Sequence, residues 1–196
     1  MGYMINLNTG KHGYTSIYLD EVENTVFSFA EPKKYFWYDT EGGCYDIMGY
    51  GFCGVAQGSS FAMSCMQLIL VQMMLGDDCK KIGSLCCECF CIPAEEFKHM
   101  NVDVNMLRDI AGECASYYYR AGYQVFFVIH MNSAGKVLLH FLVNPVSYLD
   151  QKPWRRYTNQ VKDREVYFNQ IIERYMCRDT VYPILLNPVE LIQEVD

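Results

Sequence analysis

Two histidines, His130 and His140, carry the clearest chemical signal in this sequence. Each lies in a β-prone run, Tyr123–His130 and Val137–Asn144, and Asn132-Ser133-Ala134-Gly135-Lys136 supplies a tight turn between them. Strand alternation puts Gln124, Phe126, Val128 and His130 on one face of the first run. It puts Leu138, His140, Leu142 and Asn144 on one face of the second. With a three-residue loop centred on Gly135, the two imidazoles stand directly opposite each other on a shared face. Neutral imidazoles so placed can hold a metal ion, and the competing reading is a pair of satisfied core histidines.

Two further clusters bear on chemistry. Cys86-Cys87-Glu88-Cys89-Phe90-Cys91 reads as strand, with Cys87, Cys89 and Cys91 on one face. Zinc sites favour Cys-x-x-Cys with a second pair at a distance, so the Cys-x-Cys-x-Cys rhythm fits small buried hydrophobes better. Lys152-Pro153-Trp154-Arg155-Arg156-Tyr157 interleaves cations with aromatic rings, as a single-strand nucleic-acid binder does. The competing reading is a solvated surface with Trp154 tucked against the domain. Residues 150–178 are locally basic, through Lys152, Arg155, Arg156, Lys162, Arg164, Arg174 and Arg178, whereas residues 1–50 are locally acidic. The whole chain has a net charge of −7 and a pI near 5.1, which argues against a strong non-specific grip on DNA or RNA and gives no sign of binding to acidic membranes.

The elements that must position these groups follow from hydrophobic period and punctuation. Residues 3–8 and 14–19 are short β-prone runs, and 24–29 is a third apolar patch. Residues 35–60, rich in Gly and Tyr, read as loop with one or two short strands. Ser59 or Ser60 can cap a helix that runs to Leu75, with Gly76 where a terminating glycine belongs. Residues 82–92 form a strand ended by Pro93-Ala94-Glu95-Glu96, and Asp103 opens a second helix that closes before Gly122. The run 123–130 is almost continuously apolar, so it is expected at the sheet centre, buried on both faces. A last helix is expected over 161–176, and 189–196 reads as a short helical or frayed end. The resulting fold class is α+β, a single antiparallel-rich central sheet with helices packed mainly on one face.

The length of 196 residues suits a single domain, with residues 155–196 as a C-terminal helical extension. The 51% hydrophobic and 15% aromatic content supports a large packed core and excludes a disordered or collagen-like chain. The first residues carry no basic-then-apolar leader, and no apolar run reaches about 18 residues. A cytoplasmic chain with reduced cysteines is therefore expected.

The segment 86–154 resembles the relaxases, the strand-transferase nucleases that mobilise plasmids and integrative elements and belong to the His-hydrophobe-His endonuclease class. The likeness is carried by Ile92-Pro93-Ala94-Glu95, by Tyr123-Gln124-Val125 running to Ile129-His130, and by Leu139-His140-Phe141-Leu142-Val143-Asn144-Pro145-Val146-Ser147-Tyr148. A weaker likeness spans 26–85, through Glu31-Pro32-Lys33-Lys34 and Ile47–Cys53. The resemblance implies a relaxase-like fold, a place in conjugation, and three histidines holding a divalent metal that polarises a phosphate. His130 and His140 match two of them, and the third position falls at Leu138, which cannot ligate. An aspartate that follows the first histidine by two in the family corresponds to Asn132. The tyrosine nucleophile position falls at Ser28, with Tyr14, Tyr18 and Tyr35 as fallbacks. Asn144 could add an oxygen to a remnant site, as could Cys89 or Glu88 from the next strand, and such a remnant would hold Mn²⁺, Zn²⁺ or Mg²⁺ weakly if at all. The DNA-proximal basic segment of the family corresponds to Lys152, Trp154, Arg155 and Arg156. Three readings follow. One is a degenerate relaxase-like module that binds single-stranded DNA or another mobilisation protein. The second is an active metal-dependent nicking enzyme with a rearranged site. The third is a homodimeric interaction protein with no nucleic-acid role.

Overall fold

A computed structural model of the chain describes residues 1–5, 16–18, 46–75, 84–154 and 158–176. The described strands are β1 (Tyr3–Ile5), β2 (Ser16–Tyr18), β3 (Asp46–Cys53), β4 (Ser84–Ile92), β5 (Val125–Met131) and β6 (Val137–Val143). The described helices are α1 (Phe61–Leu75), α2 (Ala94–Met100), α3 (Val104–Arg120) and α4 (Thr158–Met176). The fold is α+β.

All pairings in the sheet are antiparallel, in the order β1-β4-β6-β5-β3. β1 and β2 share one edge of β4: Tyr3 stands opposite Cys91 and Ser16 opposite Cys86. The sheet is thus five strands wide. β5 and β6 occupy its middle and are buried along nearly their whole length, as their unbroken apolar runs require.

One face packs against α2, α3 and α4. Phe127, Ile129, Leu139 and Phe141 meet Leu107, Ile110, Cys114 and Tyr118 of α3 and Phe168 and Ile171 of α4. The other face packs against α1, where Phe126, Val128, Leu142, Leu85 and Cys87 meet Phe61, Cys65 and Leu68. Three of the four described helices therefore lie on one face.

Capping explains the helix starts. The Asp103 carboxylate accepts the Met106 N–H at 2.7 Å, and Ser60 Oγ accepts the Met63 N–H at 3.3 Å, so Ser60 rather than Ser59 is the cap of α1. Two elements depart from expectation. β3 is one eight-residue strand where a loop with short strands was expected. Its glycines are needed on the α3 side, since a Cβ on Gly51 would lie 2.4 Å from the Phe127 ring. Residues 94–100 form α2 rather than only ending β4. Pro93 starts that helix, Glu95 and Glu96 sit in its first turn, Lys98 and His99 in its last, and Asn101 ends it in the left-handed region at φ 46°.

Candidate functional site

The hairpin of β5 and β6 closes through Asn132. Its N–H donates to the Lys136 carbonyl at 3.0 Å, and its side-chain oxygen accepts from the N–H groups of Ala134 and Lys136. Gly135 takes φ +75° and donates to the Asn132 carbonyl at 2.9 Å. The loop is therefore Ser133-Ala134-Gly135, with the glycine last rather than central. A three-residue hairpin loop needs its left-handed residue at the third position, after a turn built from ordinary residues. That single offset moves the register. His130 stands opposite Leu138 and His140 opposite Val128, so the histidines are diagonal neighbours, not direct partners.

They still meet on one face. Their ring centroids are 4.9 Å apart with the planes at 82°. β4 runs on the other side of β6, with Cys89 directly opposite His140. Cys89 Sγ lies 3.8 Å from His140 Nε2, and Cys87 Sγ lies 4.0 Å from His140 Nδ1. Cys87, Cys89 and Cys91 do share this face, as alternation requires, and all three are buried. Leu138 fills the space between His130 and Cys91, opposite both.

Burial sets the protonation of the cluster. His130 and His140 are both buried. Desolvation holds the His140 imidazolium down to about 3, and desolvation together with the neighbouring His140 holds His130 well below its usual range. Desolvation, reinforced by Cys87 and Cys91, pushes the Cys89 thiol well up. A cysteine beside a histidine often yields a thiolate–imidazolium nucleophile, but here both partners are held neutral.

The metal implied by the resemblance does not fit these residues. Leu138 has no donor atom. The two thiols approach diverging nitrogens of one ring, so a single ion cannot take His140 and both sulfurs. Among the described residues, no three His, Cys, Asp or Glu side chains converge as a ligand set. Asn144 is four residues along β6 from His140, roughly 13 Å at strand rise. Its amide donates to the Leu68 carbonyl and to Gln124 Oε1, both at 3.0 Å, and its oxygen accepts the Val146 N–H. Asn144 ties α1 to the sheet end and does not join the histidines. Glu88 also lies away from them, on the opposite face of β4.

Glu88 belongs to a buried cluster that includes Arg164, one of the cations of the locally basic segment 150–178. Arg164 of α4 grips it with two nitrogens, Nε at 2.8 Å from Oε2 and Nη2 at 2.9 Å from Oε1. The Tyr118 hydroxyl donates to Oε2 at 2.7 Å. The guanidinium lies 5.4 Å from the Trp154 ring and 6.0 Å from that of Tyr118. Arg164 is fully buried and offers no charge to a ligand. A carboxylate in the middle of an apolar strand needs a cation, and that requirement was the sequence signal for this pair.

Two other parts of the basic segment are also engaged within the domain, Trp154 and Lys152. Trp154 packs edge-on against Tyr118 and Tyr123, at 5.4 and 4.9 Å between centroids, tucked against the domain. Lys152 Nζ sits 2.7 Å from Asp150, and that contact holds the Asp150 carboxyl down at about 2. Tyr18 lies in β2 opposite Ser84. Ser28, Tyr14, Tyr35, Arg155 and Arg156 lie outside the described residues. No protein-family model, curated protein or solved structure matches the chain. Among the described residues, no helix is long and apolar enough to cross a membrane.

Proposed function

We propose that the chain is a relaxase-like domain that has lost its nuclease chemistry and serves as a protein-binding module of a mobile genetic element. The observation that carries this reading is the buried, neutral histidine pair with Leu138 beside it where a third ligand would be needed. A phosphate must reach the ion that polarises it, and these rings are covered. Among the described residues no third ligand joins the pair, and two imidazoles are too few donors for a hard cation. Protein contact is favoured over DNA contact because Trp154 and Arg164 face inward and Lys152 is paired with Asp150.

The test is incubation with a supercoiled plasmid bearing the element's transfer origin, with Mn²⁺ or Mg²⁺ present. The plasmid stays closed, and no covalent phosphotyrosine adduct appears on denaturing gels. Nicked circles with an adduct would establish the nicking enzyme instead.

A further inference from the structure

Helix α1 is apolar on its outer face as well as its inner one. The face against the sheet carries Phe61, Ser64, Cys65, Leu68 and Gln72, two of them polar. The outer face carries Met63, Met66, Leu70, Met73 and Met74, exposed by 54%, 57%, 47%, 61% and 77%. A surface helix ordinarily carries charged and polar residues on its outer face. No residue from Phe61 to Leu75 is charged.

We infer that this stripe pairs with the same stripe on a second copy of the chain. The proposal deepens the reading of the domain as a protein-binding module and rests on it. Met63, Met66, Leu70 and Met73 follow the three-four-three spacing that lets two helices interlock along a seam. Together the five side chains expose about three whole side chains' worth of apolar surface, roughly 350 Å² at about 120 Å² each. A standard interface of about 800 Å² a side carries roughly 500 Å² of apolar area, so the stripe supplies most of it.

The choice of a second copy over other occupants follows from charge. An acidic or basic partner would find no complementary group on α1. A helix that lies on lipid carries lysine or arginine on its rim, and α1 has neither, in a chain of net charge −7. A second copy brings a stripe equally free of charge, so two acidic chains meet at a neutral seam. Methionine side chains can adjust to fill the contact between two symmetry-related helices.

Sedimentation velocity on the full chain at tens of micromolar tests this. The parent sediments as a dimer. The variant Met66→Lys/Leu70→Lys sediments as a monomer, its dissociation constant raised at least about 100-fold, with an unchanged circular dichroism spectrum because both positions are exposed. The variant Met66→Glu/Leu70→Glu does the same, and mixing the two variants restores a dimer of one each. A monomeric parent, a lysine variant that still dimerises, or capture of a monomeric parent by neutral phosphatidylcholine vesicles would each overturn the proposal. A monomer that leaves plasmid uncut defeats this inference alone, whereas a dimer that nicks plasmid defeats only the nuclease-free reading.

Discussion

The neutral histidine pair makes a quantitative claim about acid stability. In the unfolded chain both imidazoles take up protons near 6.5. In the folded chain burial holds both lower, His140 at about 3. Between those limits the unfolded state binds more protons than the folded state, so stability falls as pH falls below 6.5. Taking both rings as neutral in the folded state at pH 5, each contributes about 2 kcal/mol of loss between pH 7 and 5, about 4 kcal/mol together. That is a large share of the ~5–15 kcal/mol that holds a typical domain folded. The experiment is urea unfolding followed by tryptophan fluorescence at both pH values, for the parent and for His130→Leu/His140→Leu. The other two histidines, His12 and His99, are common to both proteins and cancel in the difference. The parent should lose about 4 kcal/mol more than the variant. Equal losses would mean that the rings titrate as in water, and the picture of a covered, inert pair would fall with them.

Other consequences are simpler to read. Millimolar Mn²⁺ or Zn²⁺ should leave the melting temperature unchanged, because two imidazoles beside Leu138 make an incomplete cage; a large rise abolished by His130→Ala would refute this. Arg164→Met strands the Glu88 carboxylate in the core, which should cost about 3–5 kcal/mol and roughly 6–20 °C of melting temperature. Adding Glu88→Leu should recover most of that loss, and a single variant as stable as the parent would show that the pair is not buried. Lys152→Glu should change neither melting temperature nor single-stranded DNA affinity, measured by fluorescence anisotropy across a salt series; weaker binding with a flatter salt slope would restore a DNA-contacting role.

The centre of the fold is legible in the sequence because there the local and global demands agree. An unbroken apolar run from Val125 to Ile129 can only be satisfied by burial on both faces, and β5 lies in the middle of the sheet. Asp103 and Ser60 announce their helices through the groups they cap. What failed was positional detail. A glycine in a short loop signals a left-handed residue but not which loop position holds it, and one residue separates direct from diagonal pairing of the histidines. β3 was obscured because Gly49 and Gly51 look like loop residues until the Arg108 and Phe127 side chains that occupy their space are known. Counting Arg164 in the local basic excess left out Glu88, whose partner lies 76 residues away in the chain and is visible only as an unmet need. The site residues are therefore readable as types and faces, whereas their partners depend on packing.

Strand β4 shows why the two halves of the site cannot exchange roles. Its alternation sends Glu88 toward α3 and α4 and Cys87 and Cys89 toward the histidines. The carboxylate that a divalent ion would need is thus on the wrong face, already bound by Arg164 and Tyr118. On the histidine face, the described groups that touch His140 are the His130 ring and two thiols, and burial pushes the Cys89 thiol well up. A doubly charged ion placed there would find no carboxylate on that face among the described residues and would have to displace the Cys89 proton to gain an anionic ligand. Converting the pair into a working centre would take a further ligand on β6 itself, and Leu138→His, or the anionic Leu138→Asp, is the smallest change that places one beside His130. The sheet as built keeps both rings buried, whereas α1 presents an uncharged stripe at the surface.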